Sequence, residues 1–238
     1  MIDLADIPAN IPIVDFTEQT TLRLISTAYI DEPALSPLAD SEEEMSILAE
    51  VEMMTSARHN SLVAVPSGVN PTELLSEING FGSTYINAAF CYTRTTGNRF
   101  NSSERGAWYA CYGKNAAETC QAEIAFHLTR ELDNVGKYEN ITNYREIVAG
   151  FTTTFYDLGG NNTEDFLQSE PEIAYPAGQI LARNILQNHG NGVLYPSSRY
   201  KDGQCLAAFR PHIIQNIRHG DLWQFEWSGT SEPVIRPV

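Results

Sequence analysis

One carboxylate in this sequence lies in surroundings that oppose its charge. Glu123 belongs to the segment AEIAF, where its neighbours are small or apolar and favour a buried helix. Burying a carboxylate without a partner costs free energy, or else raises its pKa until it takes up a proton. A chain that keeps such a residue uses it either in an ion pair or in a reaction.

The ion pair is the structural alternative, and the same helix offers partners for it. His127 lies one turn along the face that carries Glu123, and Arg130 lies two turns along it. Pairing of this kind gives Glu123 no chemical role. A role in catalysis requires further polar groups from other parts of the chain, among which a carboxylate stabilises developing positive charge.

The segment before this helix carries an arginine in a turn. Residues 98–101 (NRFN) lead through a polar loop into a predicted strand at 107–111, and the helix follows at 116–132. The guanidinium of Arg99 can bind phosphate oxygens through two parallel hydrogen bonds, which makes it a candidate anion site. In the alternative, Arg99 caps a helix or pairs with Glu104 at the surface.

Charge and composition exclude several classes of partner. The chain of 238 residues has 30 acidic and 15 basic side chains, and this net charge of −15 disfavours nucleic acid and anionic lipid. No basic segment precedes an apolar run at the N-terminus, and no stretch reaches the roughly 18 apolar residues that span a bilayer. We therefore expect a cytoplasmic protein that makes no direct contact with membranes or nucleic acid.

The cysteines predict no metal site. Cys91, Cys111, Cys120 and Cys205 show no CxxC spacing, and each lies in an apolar segment. Buried free thiols in reducing surroundings are the simplest interpretation.

Apolar periodicity and turn residues predict a single α+β domain. It comprises residues 21–238 and follows an N-terminal arm of residues 1–20. Strands are predicted at 22–26, 85–94, 107–111, 138–157, 193–199, 205–211 and 221–227. Helices are predicted at 41–55, where Ser41 and Glu44 form a capping box, from about 71, at 116–132 and at 176–189.

Two blocks of the sequence resemble the RES domain family, which is named for its arginine, glutamate and serine. The first is NRFN followed by GAWYACYGKNAAETCQAEIAFH, and the second is NGVLYPSSRYKDGQCLAAFRP. The resemblance extends from about residue 21 to residue 212. It implies a fold akin to that of ADP-ribosyltransferases, with central mixed or antiparallel strands flanked by helices.

The resemblance also implies roles for individual residues. The family arginine, glutamate and serine fall on Arg99, Glu123 and Ser197, which makes these three the expected catalytic residues. The resemblance implies a dinucleotide substrate, NAD⁺, and Arg99 and Ser197 are also expected to bind it. Arg23, on which a further family arginine falls, is expected to bind it as well. In the alternative, Ser197 is only a turn residue after a proline.

The family tyrosine has two candidates in this chain. Tyr109 has the family's neighbours, Gly106 to Trp108, whereas Tyr112 has the family's distance from Glu123. Both are therefore expected dinucleotide-binding residues, because a tyrosine ring offers a flat face for stacking on nicotinamide. In the alternative, Tyr109 belongs to the core, as apolar strands usually require.

The activity that the resemblance implies is degradation of NAD⁺. The nicotinamide–ribose bond would be cleaved by phosphorolysis or hydrolysis, with NAD⁺ as substrate, inorganic phosphate as a potential co-substrate and no resident cofactor. The resemblance further implies the toxin of a bacterial toxin–antitoxin pair, restrained by a cognate Xre-like, DNA-binding antitoxin in a complex that can contain a toxin homodimer. The alternatives are a mono-ADP-ribosyltransferase that modifies a protein and a catalytically inactive RES-like binding module.

Overall fold

The computed structural model describes residues 11–29, 41, 43–44, 47, 65–76, 80–159 and 164–238 of the chain. Within these ranges the strands are β1 (Ile13–Ser26), β2 (Trp108–Tyr112), β3 (Glu139–Asp157), β4 (Gly192–Pro196), β5 (Gln204–Ala208), β6 (Gln215–Ser228) and β7 (Val234–Pro237). The helices are α1 (Ser83–Cys91), α2 (Ala116–Val135) and α3 (Pro171–Gln187). None of the described helices is both long and apolar enough to cross a membrane.

The strands form one mixed sheet whose pairings close on themselves. Strand β1 pairs antiparallel with both β3 and β2, β2 pairs with β5, and β5 pairs with β4. A short parallel pairing of β4 with the end of β3 completes the ring. Strand β6 extends the sheet outward from β3, and β7 pairs with β6. The predicted single α+β domain with a mixed sheet is therefore confirmed.

The apolar core divides into two clusters, and β2 contributes to both. Trp108 and Ala110 pack with α1 in one cluster, whereas Tyr109 and Cys111 belong to the cluster under α2 and α3. This split follows from the alternation of side chains along a strand. Tyr112 has the same parity as Trp108, so the two tyrosines of the strand point to opposite faces.

Most of the predicted elements are present, and the strands β1 and β6 are longer than predicted. Strand β1 begins at Ile13, so residues 13–20 belong to the sheet and not to an N-terminal arm. Helix α3 begins at Pro171, and β6 begins at Gln215. The helix predicted at 41–55 lies almost entirely outside the described residues; its cap is described, with the Glu44 N–H donating to Ser41 Oγ at 3.2 Å.

The strand predicted at 85–94 is wrong, because the chain forms helix α1 there. The buried positions of α1 include Ser83, Ile86 and Phe90, which lie three and four residues apart, and Asn87, Ala89 and Cys91 beside them are also buried. This is the spacing of one helix face. Periodicity alone does not separate a helix from a strand in so short an apolar run.

All four cysteines are buried free thiols, as predicted. Cys111 and Cys205 lie directly opposite each other in the β2–β5 ladder, and their sulfur atoms are 3.9 Å apart. Cys120 on α2 donates to the carbonyl oxygen of Leu22 at 3.0 Å. The thiols therefore help to pack α2 onto the sheet.

Helix α3 packs directly against the arginine-bearing turn, and Gly178 permits the approach. A Cβ atom at Gly178 would lie 2.1 Å from the carbonyl oxygen of Arg99 and 3.3 Å from Cδ1 of Phe100. Beside it, Gln179 Nε2 donates to the carbonyl oxygens of Thr96 and Asn98 at 3.0 Å each. The backbone position of Arg99 is thus determined by α3.

We predict that Gly178→Ala destabilises the chain by roughly 1–3 kcal/mol, as overpacking a core typically does. In an open helical position the same change stabilises by up to about 1 kcal/mol, so the sign is diagnostic. Denaturant unfolding followed by circular dichroism measures the difference. The exposed Gln187→Ala, near the end of the same helix, is the control and should change stability little. A stabilised Gly178→Ala would contradict the close approach.

Candidate active site

A cleft of about 290 Å³ opens beside α2 and the turn of residues 98–101. Among its described lining residues are four arginines (Arg23, Arg94, Arg99 and Arg199) and a single carboxylate, Glu123. In a chain of net charge −15, this cleft gathers four of the 15 basic groups around one acid. The arrangement favours an anionic ligand. The described residues contain no group of three or more His, Cys, Asp or Glu side chains arranged to hold a metal ion.

Ser197, directly after β4, fixes the carboxylate of Glu123. Its Oγ donates to Glu123 Oε1 at 2.7 Å and accepts from the N–H groups of Arg199 and Tyr200 at 3.1 Å each. A hydroxyl has one proton and two acceptor positions. Because the backbone fills both acceptor positions, the proton is directed to Glu123. The structure therefore brings together the predicted glutamate and serine.

The helix-face ion pair expected as an alternative is not formed. Arg130 pairs with Glu172 of α3 at 3.0 Å, and the described hydrogen bond of the Glu123 carboxylate is to Ser197. His127 lines the cleft beside Glu123 without a hydrogen bond to it. Glu123 is thus held by Ser197, which directly follows β4, and not by its own helix.

Opposing effects act on the pKa of Glu123. Burial raises it, and this is the largest effect; the hydrogen bond from Ser197 and the charges of Arg199 and Arg99 lower it. The net result is a pKa above the usual value. Burial therefore disfavours the ionised form of this carboxyl, and the hydrogen bond and the two arginines offset part of that effect.

Arg99 is anchored to two neighbouring segments. Its Nη1 donates to the carbonyl oxygens of Phe166 and Gln168 at 2.8 Å each, and its Nη2 donates to Ser198 Oγ at 3.0 Å. These bonds use three of the five guanidinium donors and leave two for a ligand. The surface pair with Glu104 that the sequence left open is not among the described contacts of Arg99.

The structure distinguishes the two candidate tyrosines. Tyr109 lines the cleft; its hydroxyl donates to Asn101 Oδ1 at 2.9 Å and accepts from the Phe100 N–H at 2.8 Å. Burial raises the pKa of Tyr109, so the phenol stays neutral and holds the arginine-bearing turn. Tyr112 does not line the cleft, because it packs on the other face of the sheet, with its ring centroid 5.0 Å from that of Phe16.

Arg23 reaches the cleft from β1. Its guanidinium carbon lies 5.0 Å from the centroid of the Trp108 ring, and its Nη1 donates to the carbonyl oxygen of Tyr109 at 3.2 Å. Burial lowers the pKa of Arg23 to about 10, so it remains charged at neutral pH. Its Nε is buried and has no hydrogen-bond partner in the described part of the chain.

The sequence did not single out several residues of the cleft region, among them Arg94. Ser198 and Arg199 directly follow Ser197 in the segment YPSSR, and this adjacency was the one feature of the sequence that could have indicated them. Arg199 lies 3.4 Å from the centroid of the Phe126 ring and donates to the carbonyl oxygen of Ser169. Tyr175 of α3 also lines the cleft, and no motif marks it.

Comparison with known proteins gives a match to a family model and a similar solved structure. The family model described as the RES domain matches residues 75–228, a span that includes Arg99, Tyr109, Glu123 and Ser197 but not Arg23. Among solved structures, the chain is similar to one in the crystal structure of the M. tuberculosis MbcT–MbcA toxin–antitoxin complex, with 14% sequence identity and a TM-score of 0.41. That similarity covers 87% of this chain and 86% of the other. No curated protein matches the chain in sequence.

We predict that Glu123→Gln stabilises the folded chain at pH 7. Burial raises the pKa of Glu123, so the folded chain binds the proton of this carboxyl more tightly than the unfolded chain does. The stability that this proton gives the folded chain is lost as the pH rises from the usual pKa of 4.5 through the raised pKa of the folded chain. Glutamine stays neutral throughout. The melting temperature of the variant should therefore exceed that of the wild type at pH 7, and the difference should shrink toward pH 4.

The control for this comparison is Glu118→Gln, an exposed carboxylate on the same helix. It should show no such dependence on pH. A lower melting temperature of Glu123→Gln at pH 7 would mean that the arginines and Ser197 outweigh burial, and the sign above would be wrong.

Proposed function

Because the chain belongs to the RES domain family, we propose that it degrades NAD⁺ by cleaving the nicotinamide–ribose bond, with inorganic phosphate or water as acceptor. The observation that carries the proposal is Glu123, which accepts a hydrogen bond from Ser197 and lines a cleft together with four arginines. One oriented carboxylate and several anion-binding groups are what this reaction requires.

The carboxylate serves the reacting ribose. When the bond to nicotinamide breaks, positive charge moves from the nicotinamide ring to the ribose, in a transition state that resembles an oxocarbenium ion. The ionised Glu123 stabilises that charge, and its orientation by Ser197 removes the need to reorganise during the reaction. Nicotinamide leaves as a neutral amide, so the reaction needs no strong general acid.

The arginines serve the phosphates of the dinucleotide. Arg99 keeps two donors and Arg23 reaches the same cleft, and guanidinium groups bind pyrophosphate oxygens with well-defined geometry. The volume of about 290 Å³ lies at the lower end of the range for small-molecule sites. We therefore assign the cleft to nicotinamide and its ribose, next to the face of Tyr109, and the remaining part of the dinucleotide to the open side.

The proposal includes a biological role as the toxin of a toxin–antitoxin pair. An enzyme that consumes NAD⁺ must be restrained in the cell that makes it, and an antitoxin that covers the cleft would do this. We expect a neighbouring gene to encode a small Xre-like protein with a DNA-binding module. An isolated gene would count against this role and would leave the chemistry untouched.

We predict that the purified chain releases nicotinamide from NAD⁺ and that Glu123→Gln lowers kcat by at least about 10²–10³, the usual loss when a transition-state charge is left unstabilised. Chromatography with mass detection identifies the second product. ADP-ribose-1-phosphate indicates phosphorolysis, and free ADP-ribose indicates hydrolysis. Labelled ADP-ribose on a protein would support the mono-ADP-ribosyltransferase instead, and an intact NAD⁺ pool would support the inactive binding module.

We predict that Ser197→Ala lowers kcat and moves the acidic limb of the pH–rate profile to higher pH. The hydrogen bond from Ser197 lowers the pKa of Glu123, so its loss leaves less ionised carboxylate at any given pH. Steady-state kinetics between pH 5 and 8, about the range in which proteins are most stable, measure the shift. Ser228→Ala, an exposed serine on β6, is the control. If the acidic limb does not move, Ser197 does not control the ionisation of Glu123 during the reaction.

A further inference from the structure

Arg199 lines the cleft without a carboxylate partner of its own. Other arginines nearby have such a partner: Arg94 forms an ion pair with Glu131 at 2.8 Å. Arg130 forms one with Glu172 at 3.0 Å. In the part of the chain that the structure describes, no carboxylate lies within ion-pair distance of Arg199, so its charge is available to a ligand.

One segment before α3 holds Arg199 close to Arg99. Arg99 Nη1 donates to the carbonyl oxygen of Gln168 at 2.8 Å, and Arg199 donates to the carbonyl oxygen of the next residue, Ser169. Arg99 Nη2 also donates at 3.0 Å to Oγ of Ser198, the residue before Arg199. Because consecutive residues are near neighbours in space, these bonds place the two guanidinium groups together at one wall of the cleft.

The ring of Phe126 fixes the plane of the Arg199 guanidinium. The guanidinium carbon lies 3.4 Å from the centroid of the ring, so the group is stacked on the ring face. A stacked guanidinium directs its N–H groups outward along its edges, and the described hydrogen bond to Ser169 uses one of its five donors. Arg199 is therefore oriented by the protein while further donors remain for a ligand.

The charges at this wall of the cleft are not balanced. Burial is the largest effect on the pKa of Arg199 and lowers it; the charge of Glu123 raises it, and the charge of Arg99 lowers it. The net result is a pKa below the usual value. Two guanidinium groups thus act on each other beside one carboxylate, and an anion that contacts both offsets their repulsion.

We propose that Arg199 and Arg99 together bind the pyrophosphate of the dinucleotide, with one guanidinium on each phosphate group. The inference rests on the proposed function, which makes NAD⁺ the ligand of the cleft. Each guanidinium can donate two parallel hydrogen bonds to one phosphate, so two neighbouring guanidinium groups match two phosphates joined by one oxygen.

The position of Arg199 in the chain agrees with the order of groups in the dinucleotide. Arg199 lies two residues after Ser197, which donates to Glu123. In NAD⁺ the pyrophosphate is attached directly to the ribose whose bond to nicotinamide is cleaved. A pyrophosphate on Arg199 and Arg99 therefore brings that ribose next to the carboxylate of Glu123.

The test measures the affinity of the full chain for ADP, which has two linked phosphates, and for AMP, which has one, by titration calorimetry. The wild type should bind ADP more tightly. Arg199→Gln should lower the affinity for ADP roughly 10–100-fold, the effect of losing a hydrogen bond to a charged group, and should change that for AMP much less. Arg199→Lys keeps the charge without the fork and should give an intermediate loss. Arg236→Gln, exposed on β7, removes the same charge elsewhere and should change neither affinity.

Two results would overturn the role of Arg199. The first is an affinity for ADP that Arg199→Gln leaves unchanged; a KM for inorganic phosphate that rises in this variant would then assign Arg199 to the acceptor. The second is an equal loss for ADP and AMP, which would mean that Arg199 only maintains the shape of the cleft. Melting temperatures report whether the variants fold, and Arg199→Lys decides the question if Arg199→Gln does not.

The measurement is independent of turnover, so this inference and the proposed function can fail separately. A wild type that binds ADP through Arg199 but leaves NAD⁺ intact contradicts the proposed cleavage and supports the pyrophosphate site. Cleavage of NAD⁺ together with an unchanged affinity of Arg199→Gln for ADP contradicts the role of Arg199 and leaves the reaction in place.

Discussion

The direction of one hydroxyl proton determines the geometry of the candidate site. Ser197 has both acceptor positions filled by backbone N–H groups, so its proton has Glu123 as its partner. The turn that does this is set by strand pairing, because Ser197 follows β4 and its own N–H donates to the carbonyl oxygen of Gly203, just before β5. A carboxylate on a helix is thus aimed by the end of a sheet, and the rest of the cleft is arranged around that pair.

The sequence predicted the parts of the site that have local signals. Glu123 stood out because a charge lay among apolar neighbours, and the strand and helix around it followed from periodicity and capping. The sequence could not predict the hydrogen bonds from Arg99 to the carbonyl oxygens of Phe166 and Gln168, because contacts between distant segments leave no local pattern. The helix α1 was misassigned because its apolar run is too short for its period to be read. Tyr109 and Tyr112 could be separated only once strand β2 fixed their parity.

Burial acts against the charge of two groups of the cleft. It raises the pKa of the Glu123 carboxyl and lowers that of the Arg23 guanidinium. Titratable groups whose pKa is shifted by burial are concentrated at functional sites, where a bound ligand can offset the free-energy cost of burying their charge. An acidic chain that places four arginines around one carboxylate in a single cleft shows the same pattern, and this arrangement favours an anionic ligand.

Strand β1 belongs to the closed ring of paired strands and contributes to the site, although it lies outside the span that matches the family model. The match to the RES domain begins at residue 75, yet β1 (residues 13–26) joins β3 to β2 and supplies Arg23 to the wall of the cleft. A fragment trimmed to the matched span would leave β2 and β3 each without a neighbour along one side and would expose the apolar surface between them. The smallest unit able to fold and to close the cleft therefore begins upstream of the span that matches the family model, at or before Ile13.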